Sequence, residues 1–308
     1  MAEPIVITHR FGRVGSAMSS RLASLVPDAT VVEWPAPGEV LLTFDGIWRE
    51  EPGAVLPDEV RWVHVLGAGV GGFPFEVLGG RPMTCSKGAS AVSISEWVLA
   101  VMLAFEKRLP ESFITEPPPA WNSANLGVLA GKTLGLIGVG AIGTEIARRA
   151  LAFDMRVVGL RRSTRPFPLA GIEPAQSVTA VVEGADHVAI AAPATPETYH
   201  LIDKETLAAM KDGVHIVNIA RGSLIDQDAL LEALDAGRVA RASLDVVDPE
   251  PLPAGHPLYT HPGVRLSPHI SWSGPITMPR TMEMFLTNLA RYRAGQPLEG
   301  LVDVDAGY

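Results

Sequence analysis

From Thr133 onward the chain repeats one pattern, a short unbroken apolar or β-branched run followed by a segment of helix length. The runs are TLGLIG, RVVGL, HVAIAA, VHIVNIA, ASLDVV and VRLSPHI. A strand with one wet face alternates apolar and polar residues; these runs do not alternate, so both faces must be covered. A parallel sheet flanked by helices is the arrangement that does this. Helices are expected from Ile142 to Phe153, Ser177 to Glu183, Lys204 to Met210 and Gln227 to Ala236, the last stopping at Gly237. Six strands joined by right-handed crossovers make a doubly wound sheet.

A smaller alternation fills the first ninety residues, with β-rich runs at Ile5 to Thr8, Val31 to Trp34, Val40 to Phe44, Trp62 to Leu66 and Pro82 to Cys85. It reads as a separate small α/β unit. Between the two alternations, Ala91 to Arg108 has helical length and ends on Lys107 and Arg108, where the helix dipole favours cations. The helix must stop before Pro110, and EPPPAWNSANLGVLAG then reads as an irregular surface connector. After Pro279, TMEMFLTNLARYRAG reads as a final helix ending at Gly295 and packing back on the first unit.

A length of 308 residues suits two domains, and 47% hydrophobic residues supply their cores. The 25 basic and 34 acidic side chains give a net charge of −9 with no basic run, which argues against nucleic acid as a partner. The longest stretch without a charged residue, Pro117 to Gly131, opens with three prolines, so no membrane span is expected. The N-terminus passes from a short polar lead straight into an apolar run, which points to the cytoplasm. Cys85, the only cysteine, offers neither an internal disulfide nor a thiolate cluster, and no metal site is expected.

Gly138-Val139-Gly140-Ala141-Ile142-Gly143 fits G-x-G-x-x-G, with a strand before it and a helix after it. The first glycine allows a tight turn, the second close approach of a pyrophosphate, and the third close packing of helix on strand. Phosphates would then meet free N–H groups at a helix N-terminus. A site for S-adenosylmethionine is the nearest rival, and a ligand-free glycine turn the plainest alternative. At the end of the next strand, where an NAD site places Asp or Glu, the chain has Arg161-Arg162-Ser163 and then Arg165. Guanidinium groups there suit a 2′-phosphate, so NADP(H) is preferred over NAD(H), the alternative being a solvated basic loop. Arg221 lies just past the strand VHIVNIA, at the edge where open α/β sheets bind ligands; it reads equally as an anion clamp or a structural ion-pair partner. His269, in SPHIS, has the chemistry of a proton donor but also of a hydrogen-bonded structural residue, and Glu250, in DPEPLP, reads as an exposed turn acid.

Four stretches in order, GKTLGLIGVGAIG, PATPETYHLID, NIARGSLIDQDALLEALDAGRVARASLDVVDPEPLP and SPHIS, resemble the D-isomer-specific 2-hydroxyacid dehydrogenase family over nearly the whole chain. The resemblance implies an α/β protein in which a doubly wound Rossmann domain, residues 99–274, is inserted in a flavodoxin-like substrate domain, residues 1–98 and 275–308. It implies a catalytic trio of Arg221, Glu250 and His269. It places Gly138, Gly140, Ala141, Ile142, Gly143, Arg161, Arg162, Ser163, Pro193, Thr198, Ile219, Ala220, Asp245 and Ser271 against the cofactor, with Asp245 at the nicotinamide carboxamide. Ala68 and Gly69, in the loop Leu66-Gly67-Ala68-Gly69-Val70, would meet the substrate carboxylate through backbone N–H groups, with Arg221, His269 and Trp272 completing the substrate site.

Three departures bear on that site. The loop continues Val70-Gly71-Gly72-Phe73-Pro74 in place of the family's acidic or amide pair; Ser90 stands where many members have Asn; and Trp272 replaces a small residue, narrowing the pocket. The Arg-Arg-Ser loop and the ending VDVDAGY are most similar to the glyoxylate and hydroxypyruvate reductase branch. The activity so implied is reduction of small 2-keto acids to D-2-hydroxy acids by a homodimer. The alternatives are a nucleotide-sensing scaffold of the corepressor type and a dehydrogenase of another small anion such as formate or phosphite.

Overall fold

The computed structural model describes residues 4–12, 15–50, 55–163 and 165–308, so the first three residues of the polar lead lie outside it. The chain divides into two compact units, Met1–Ser90 with Gly274–Tyr308, and Ala91–Ser273.

The first unit carries β1 (Val6–Arg10), α1 (Gly15–Leu25), β2 (Thr30–Glu33), β3 (Val40–Thr43), β4 (Trp62–Val65) and β5 (Met83–Cys85). The strands pair in parallel in the order β2-β1-β3-β4-β5, the flavodoxin-like order. The C-terminal helix α7 (Thr277–Arg293) sets Met282, Phe285 and Leu289 against Ile7, Leu22, Val40 and Trp62. Trp62 is stacked by both Phe285 and Tyr292, with ring centroids 5.6 Å away in each case. This helix starts two residues before Pro279, earlier than its sequence suggests, because a proline in the first turn forfeits only an N–H that has no intrahelical partner.

The second unit opens with α2 (Ala91–Glu106) and continues through β6 (Thr133–Ile137), α3 (Ala141–Ala152), β7 (Arg156–Leu160), β8 (Ile172–Pro174), α4 (Val178–Val182), β9 (His187–Ile190), α5 (Lys204–Ala208), β10 (Val214–Asn218), α6 (Gln227–Asp235), β11 (Val239–Leu244) and β12 (Val264–Leu266). The domain boundary expected at 98/99 falls inside α2, and the whole helix belongs to this unit: Ile94, Val98, Leu99 and Met102 pack with Leu134, Ile146 and Val157. All strands are parallel, in the order β12-β11-β10-β9-β6-β7-β8. There are seven rather than the six expected. The extra one, β8, is three residues long and buries only Ile172, too little to leave an apolar run in the sequence. The order reverses between β6 and β9, and that switch point, at the carboxyl ends of the strands, is where such sheets open a crevice. Among the described residues no helix is long and apolar enough to cross a membrane.

The opposite, amino-terminal edge of this sheet holds a buried polar chain. The Glu106 carboxylate, at the end of α2, accepts from Lys132 Nζ at 2.6 Å and from His187 Nε2 at 3.0 Å. A carboxylate only accepts, so His187 donates to it through Nε2; the chain continues with His187 Nδ1 hydrogen-bonded to His215 Nδ1, 3.1 Å away, and His215 Nε2 to the Ser243 hydroxyl at 2.9 Å. Burial, with the charges of His187, Arg241 and Lys132, keeps His215 far below its usual titration range. Burial pushes the Glu106 carboxyl up, but the hydrogen bonds and charges of His187 and Lys132 outweigh it and hold the group below the ordinary carboxylate range. A carboxylate depressed by folding stabilises above its unfolded pKa and loses that contribution as pH falls through its folded pKa. Glu106→Ala should therefore cost about 2–4 kcal/mol at pH 7, the one-third exposed Lys132 softening the loss. It should also flatten the decline of stability on acidification below about pH 4.5. Urea unfolding followed across pH measures both.

Candidate active site

At the switch point the glycine motif is built as its spacing requires. Gly138 follows β6 with φ +99°, and a Cβ there would lie 2.5 Å from Ala192 N. A Cβ on Gly143, in the first turn of α3, would lie 2.1 Å from the Gly138 carbonyl oxygen, so only glycine lets the helix start this close to the strand. Gly140, the N-cap of α3, has no atom within 4 Å of its would-be Cβ and faces open space. The first-turn N–H groups of Ala141, Ile142 and Gly143 have no intrahelical partner, which is what a pyrophosphate needs. These features fit a dinucleotide.

The other residues expected at the cofactor stand along the same edge. Arg161, Arg162 and Ser163 follow β7; Arg161 Nη1 donates to Pro166 O at 3.2 Å, and Arg162 and Ser163 are exposed. No carboxylate occurs from 161 to 165; the Glu197 carboxyl, after β9, is held low by hydrogen bonding to Thr195 and, to a smaller extent, by the charge of Arg162. After β9, Thr198 Oγ1 donates to Pro193 O at 2.8 Å and fixes that loop. Ile219 and Ala220 follow β10 and are buried.

Arg221 comes next, and its conformation is set by Asn218, the last residue of β10. Asn218 Oδ1 accepts the Ala220 N–H at 3.0 Å while Nδ2 donates to Arg221 O at 2.8 Å. Gly222 is obligatory for a different reason, since its Cβ would strike the Val247 carbonyl carbon at 1.9 Å. That contact brings the Arg221 turn against the Val247–Glu250 segment, which Gln227 holds from the start of α6 by hydrogen bonds to both Asp248 N and Asp248 O. Glu250 accepts from Val247 N at 3.3 Å through Oε1, and its Oε2 lies 3.0 Å from His269 Nδ1. Burial pushes the Glu250 carboxyl up, yet the hydrogen bond and charge of His269, the Val247 N–H and the charge of Arg221 prevail and hold it below the ordinary carboxylate range. Both members of the dyad are partly open, with 40% and 32% of the His269 and Glu250 side chains exposed.

His269 is one of the few non-glycine residues with positive φ, +54°. Asp245, buried just beyond β11, explains how it is kept there. Its Oδ1 accepts the Ser267 hydroxyl at 2.5 Å and Ile270 N–H at 2.9 Å, and its Oδ2 accepts Ser271 N–H at 2.9 Å. Asp245, expected at the nicotinamide carboxamide, is thus a carboxylate whose hydrogen bonds within the protein go to the turn carrying His269. Ser271 is buried in that turn, and Trp272 Nε1 donates to His269 O at 2.8 Å. Asn218, Gln227 and Ser267 escape a sequence reading because they bond backbone or a neighbouring acid and carry no reactive pattern of their own.

In the first unit Ala68 and Gly69 stand in the loop after β4, and their N–H groups donate to no group among the described residues. A cavity of about 740 Å3 lies at the amino-terminal edge of the second sheet, lined by Phe105, Glu106, Arg108, Arg241 and Arg265, and is remote from the Arg221, Glu250 and His269 edge.

The two glycines make separable demands. Gly140→Ala should fold and melt within a few degrees of wild type but bind dinucleotide at least about tenfold more weakly, because its methyl fills the space a pyrophosphate enters. Gly143→Ala should instead destabilise the unit by about 1–3 kcal/mol, the added carbon meeting backbone. Thermal melting and cofactor fluorescence titration of both variants check the contrast.

The family model for the D-isomer specific 2-hydroxyacid dehydrogenase, NAD binding domain, matches residues 99–271. A glyoxylate/hydroxypyruvate reductase A from Serratia proteamaculans is 30% identical over 318 aligned positions, covering 99% of each chain. A glyoxylate reductase from Thermofilum pendens is 34% identical over 72% of this chain and 68% of its own. Among solved structures, a D-isomer specific 2-hydroxyacid dehydrogenase from Xanthobacter autotrophicus Py2, in complex with NADPH and MES, superposes with a TM-score of 0.83 at 26% identity, covering 100% of both chains. With its strand order, its glycine motif and the Arg221, Glu250 and His269 edge, the chain belongs to the D-isomer specific 2-hydroxyacid dehydrogenase family.

Proposed function

We propose that the protein reduces small 2-keto acids to D-2-hydroxy acids, with NADPH in preference to NADH, and that glyoxylate and hydroxypyruvate are among its substrates. The observation that carries this reading is the His269–Glu250 pair at 3.0 Å, within the field of Arg221, on the crevice edge of a dinucleotide-type sheet. The names of the Serratia and Thermofilum relatives support the choice of substrates, and the NADPH in the Xanthobacter structure supports the cofactor class. The reading extends to a homodimer working in the cytoplasm. A scaffold that only senses nucleotide has no need of the charged trio, so catalysis is preferred.

Arg221 uses one Nη1 bond on Ala220 O, at 2.7 Å, and keeps the rest of its fork for the carboxylate and keto oxygen of a substrate. The nicotinamide, when bound, supplies the hydride. Negative charge then gathers on the keto oxygen, where Arg221 stabilises it and His269 delivers a proton. Glu250 occupies Nδ1 of the ring, so Nε2 is the nitrogen left to face the substrate. Because Glu250 is held in its anionic form, it accepts from Nδ1 and orients the ring. The N–H groups of Ala68 and Gly69 are free donors of the kind a carboxylate takes.

A panel of 2-keto acids assayed with NADPH and NADH tests the reading directly: glyoxylate or hydroxypyruvate should turn over, with NADPH favoured by at least about tenfold at low salt. Arg161→Asp should reverse the cofactor order by offering the ribose an acceptor and repelling the 2′-phosphate. Tight cofactor binding with no 2-keto acid reduced would point to the scaffold instead.

A pH dependence follows from Glu250. Its carboxyl is held below the ordinary carboxylate range, so the anion that orients His269 persists and the acid limb of the kcat/KM profile should lie below about pH 4.5. Glu250→Gln removes the anion and should lower kcat/KM by at least about tenfold at neutral pH. Wild-type kcat/KM in that variant, with hydride transfer shown to be rate-limiting, would take Glu250 out of this role.

A further inference from the structure

The turn that presents His269 is pinned through its peptide groups. The His269 N–H is shared between Asp245 O at 2.9 Å and Ser267 O at 3.0 Å, which fixes the peptide before the residue. The peptide after it is held at both polar atoms. Its N–H, on Ile270, goes to Asp245 Oδ1 at 2.9 Å, and its C=O, on His269, accepts Trp272 Nε1–H at 2.8 Å. A side chain three residues on thus takes the carbonyl whose direction sets ψ of His269. A histidine at φ +54° sits in a backbone region that L-residues leave when nothing holds them there, and the surrounding bonds must over-determine it. Asp245 acts on the N–H side of the turn; Trp272 is the group that acts on the carbonyl side.

We infer that Trp272 is a positioning residue for the proton donor, acting through its indole N–H on the His269 carbonyl rather than through the bulk of its ring. Its indole is the one group identified on that carbonyl, and Trp272 is 45% exposed, so its packing contribution is partial. Trp272→Phe is the discriminating change because it keeps an aromatic ring and removes the donor. This role rests on the proposed 2-keto acid reductase reading, in which His269 delivers the proton. A misdirected imidazole slows proton delivery without weakening the cofactor, so the loss belongs in kcat.

The test compares wild type, Trp272→Phe and Trp272→Ala in two measurements. In the first, steady-state reduction of glyoxylate or hydroxypyruvate, both variants should lose about tenfold in kcat with the KM for NADPH unchanged. A phenylalanine variant with wild-type kcat beside a slow alanine variant would overturn the inference, since ring packing would then be the whole effect. In the second, hydrogen exchange without substrate, the Ile270 amide should exchange at least about tenfold faster in Trp272→Phe, with the melting temperature near wild type. Unchanged exchange would also overturn it. Should the wild type reduce no 2-keto acid, the functional reading fails, and the exchange result still decides whether Trp272 holds the turn. Faster exchange in an active enzyme whose kcat does not fall would overturn the positioning role and leave the reductase reading intact.

Discussion

A sheet whose strands all run one way must discharge every chain segment at the same edge, and the architecture of the second unit follows from that constraint. Because β6 to β12 pair in parallel, the segments after them surface side by side: Gly138 after β6, Arg161 after β7, Pro193 after β9, Arg221 after β10, Asp245 after β11 and His269 after β12. Residues more than a hundred positions apart are gathered by the strand pairing itself. The helices that return the chain cover both faces, which is why the strands carry unbroken apolar runs. The reversal of order between β6 and β9 splits the returning helices to opposite faces and leaves the crevice unroofed where the glycine turn lies.

The two edges of this sheet treat buried polar groups in opposite ways. At the amino-terminal edge Glu106, Lys132, His187, His215 and Ser243 satisfy one another in sequence, and two histidines with the right chemistry for catalysis are thereby fully consumed. At the carboxyl edge the polar side chains that are consumed, Asn218, Gln227 and Asp245, spend their bonds on backbone N–H and C=O groups, with one more from the Ser267 hydroxyl to Asp245. What they leave over is the set on which the proposed function rests: the Arg221 fork, the far nitrogen of His269 and the first-turn N–H groups of α3. Within this sheet the donors of Arg221 and of the first turn of α3 that have no protein partner therefore lie at the carboxyl edge, where the proposed function needs them.

Legibility in the sequence tracks how much of a feature is carried by burial. Eleven of the twelve strands among the described residues are visible in the letters alone as apolar or β-branched runs, and so is α6, framed by Asp226 as N-cap and Gly237 beyond its end. β8 is not visible, because Glu173 and Pro174 are exposed and only Ile172 faces inward. The boundary between units is misjudged by eight residues because α2 is apolar along its whole length and its ownership depends on which core it meets. Within the site, Arg221 and His269 are visible as charged or titratable residues at strand ends. Glu250 is not: in DPEPLP it looks like any exposed turn acid until Gly222 is seen to press the Val247 segment against the arginine turn.

The cofactor edge shows why a net charge of −9 says little about what an acidic protein binds. Charges separated by more than a Debye length of about 8 Å are largely screened at physiological ionic strength, so a ligand responds to the few groups it touches. Along the loop after β7 those groups are Arg161, Arg162 and Arg165, with no carboxylate among them. At the reacting edge they are Arg221 and the His269–Glu250 pair, in which one carboxylate is already committed to an imidazole. Both stretches carry positive charge, while the acidic excess is distributed elsewhere on the chain, partly in surface pairs such as Glu173 with Arg156 and Glu232 with Lys204. On the proposed function, an anionic cofactor and an anionic substrate would thus meet local fields of the sign they require, and the acidic remainder of the surface, screened beyond a Debye length, would not oppose them.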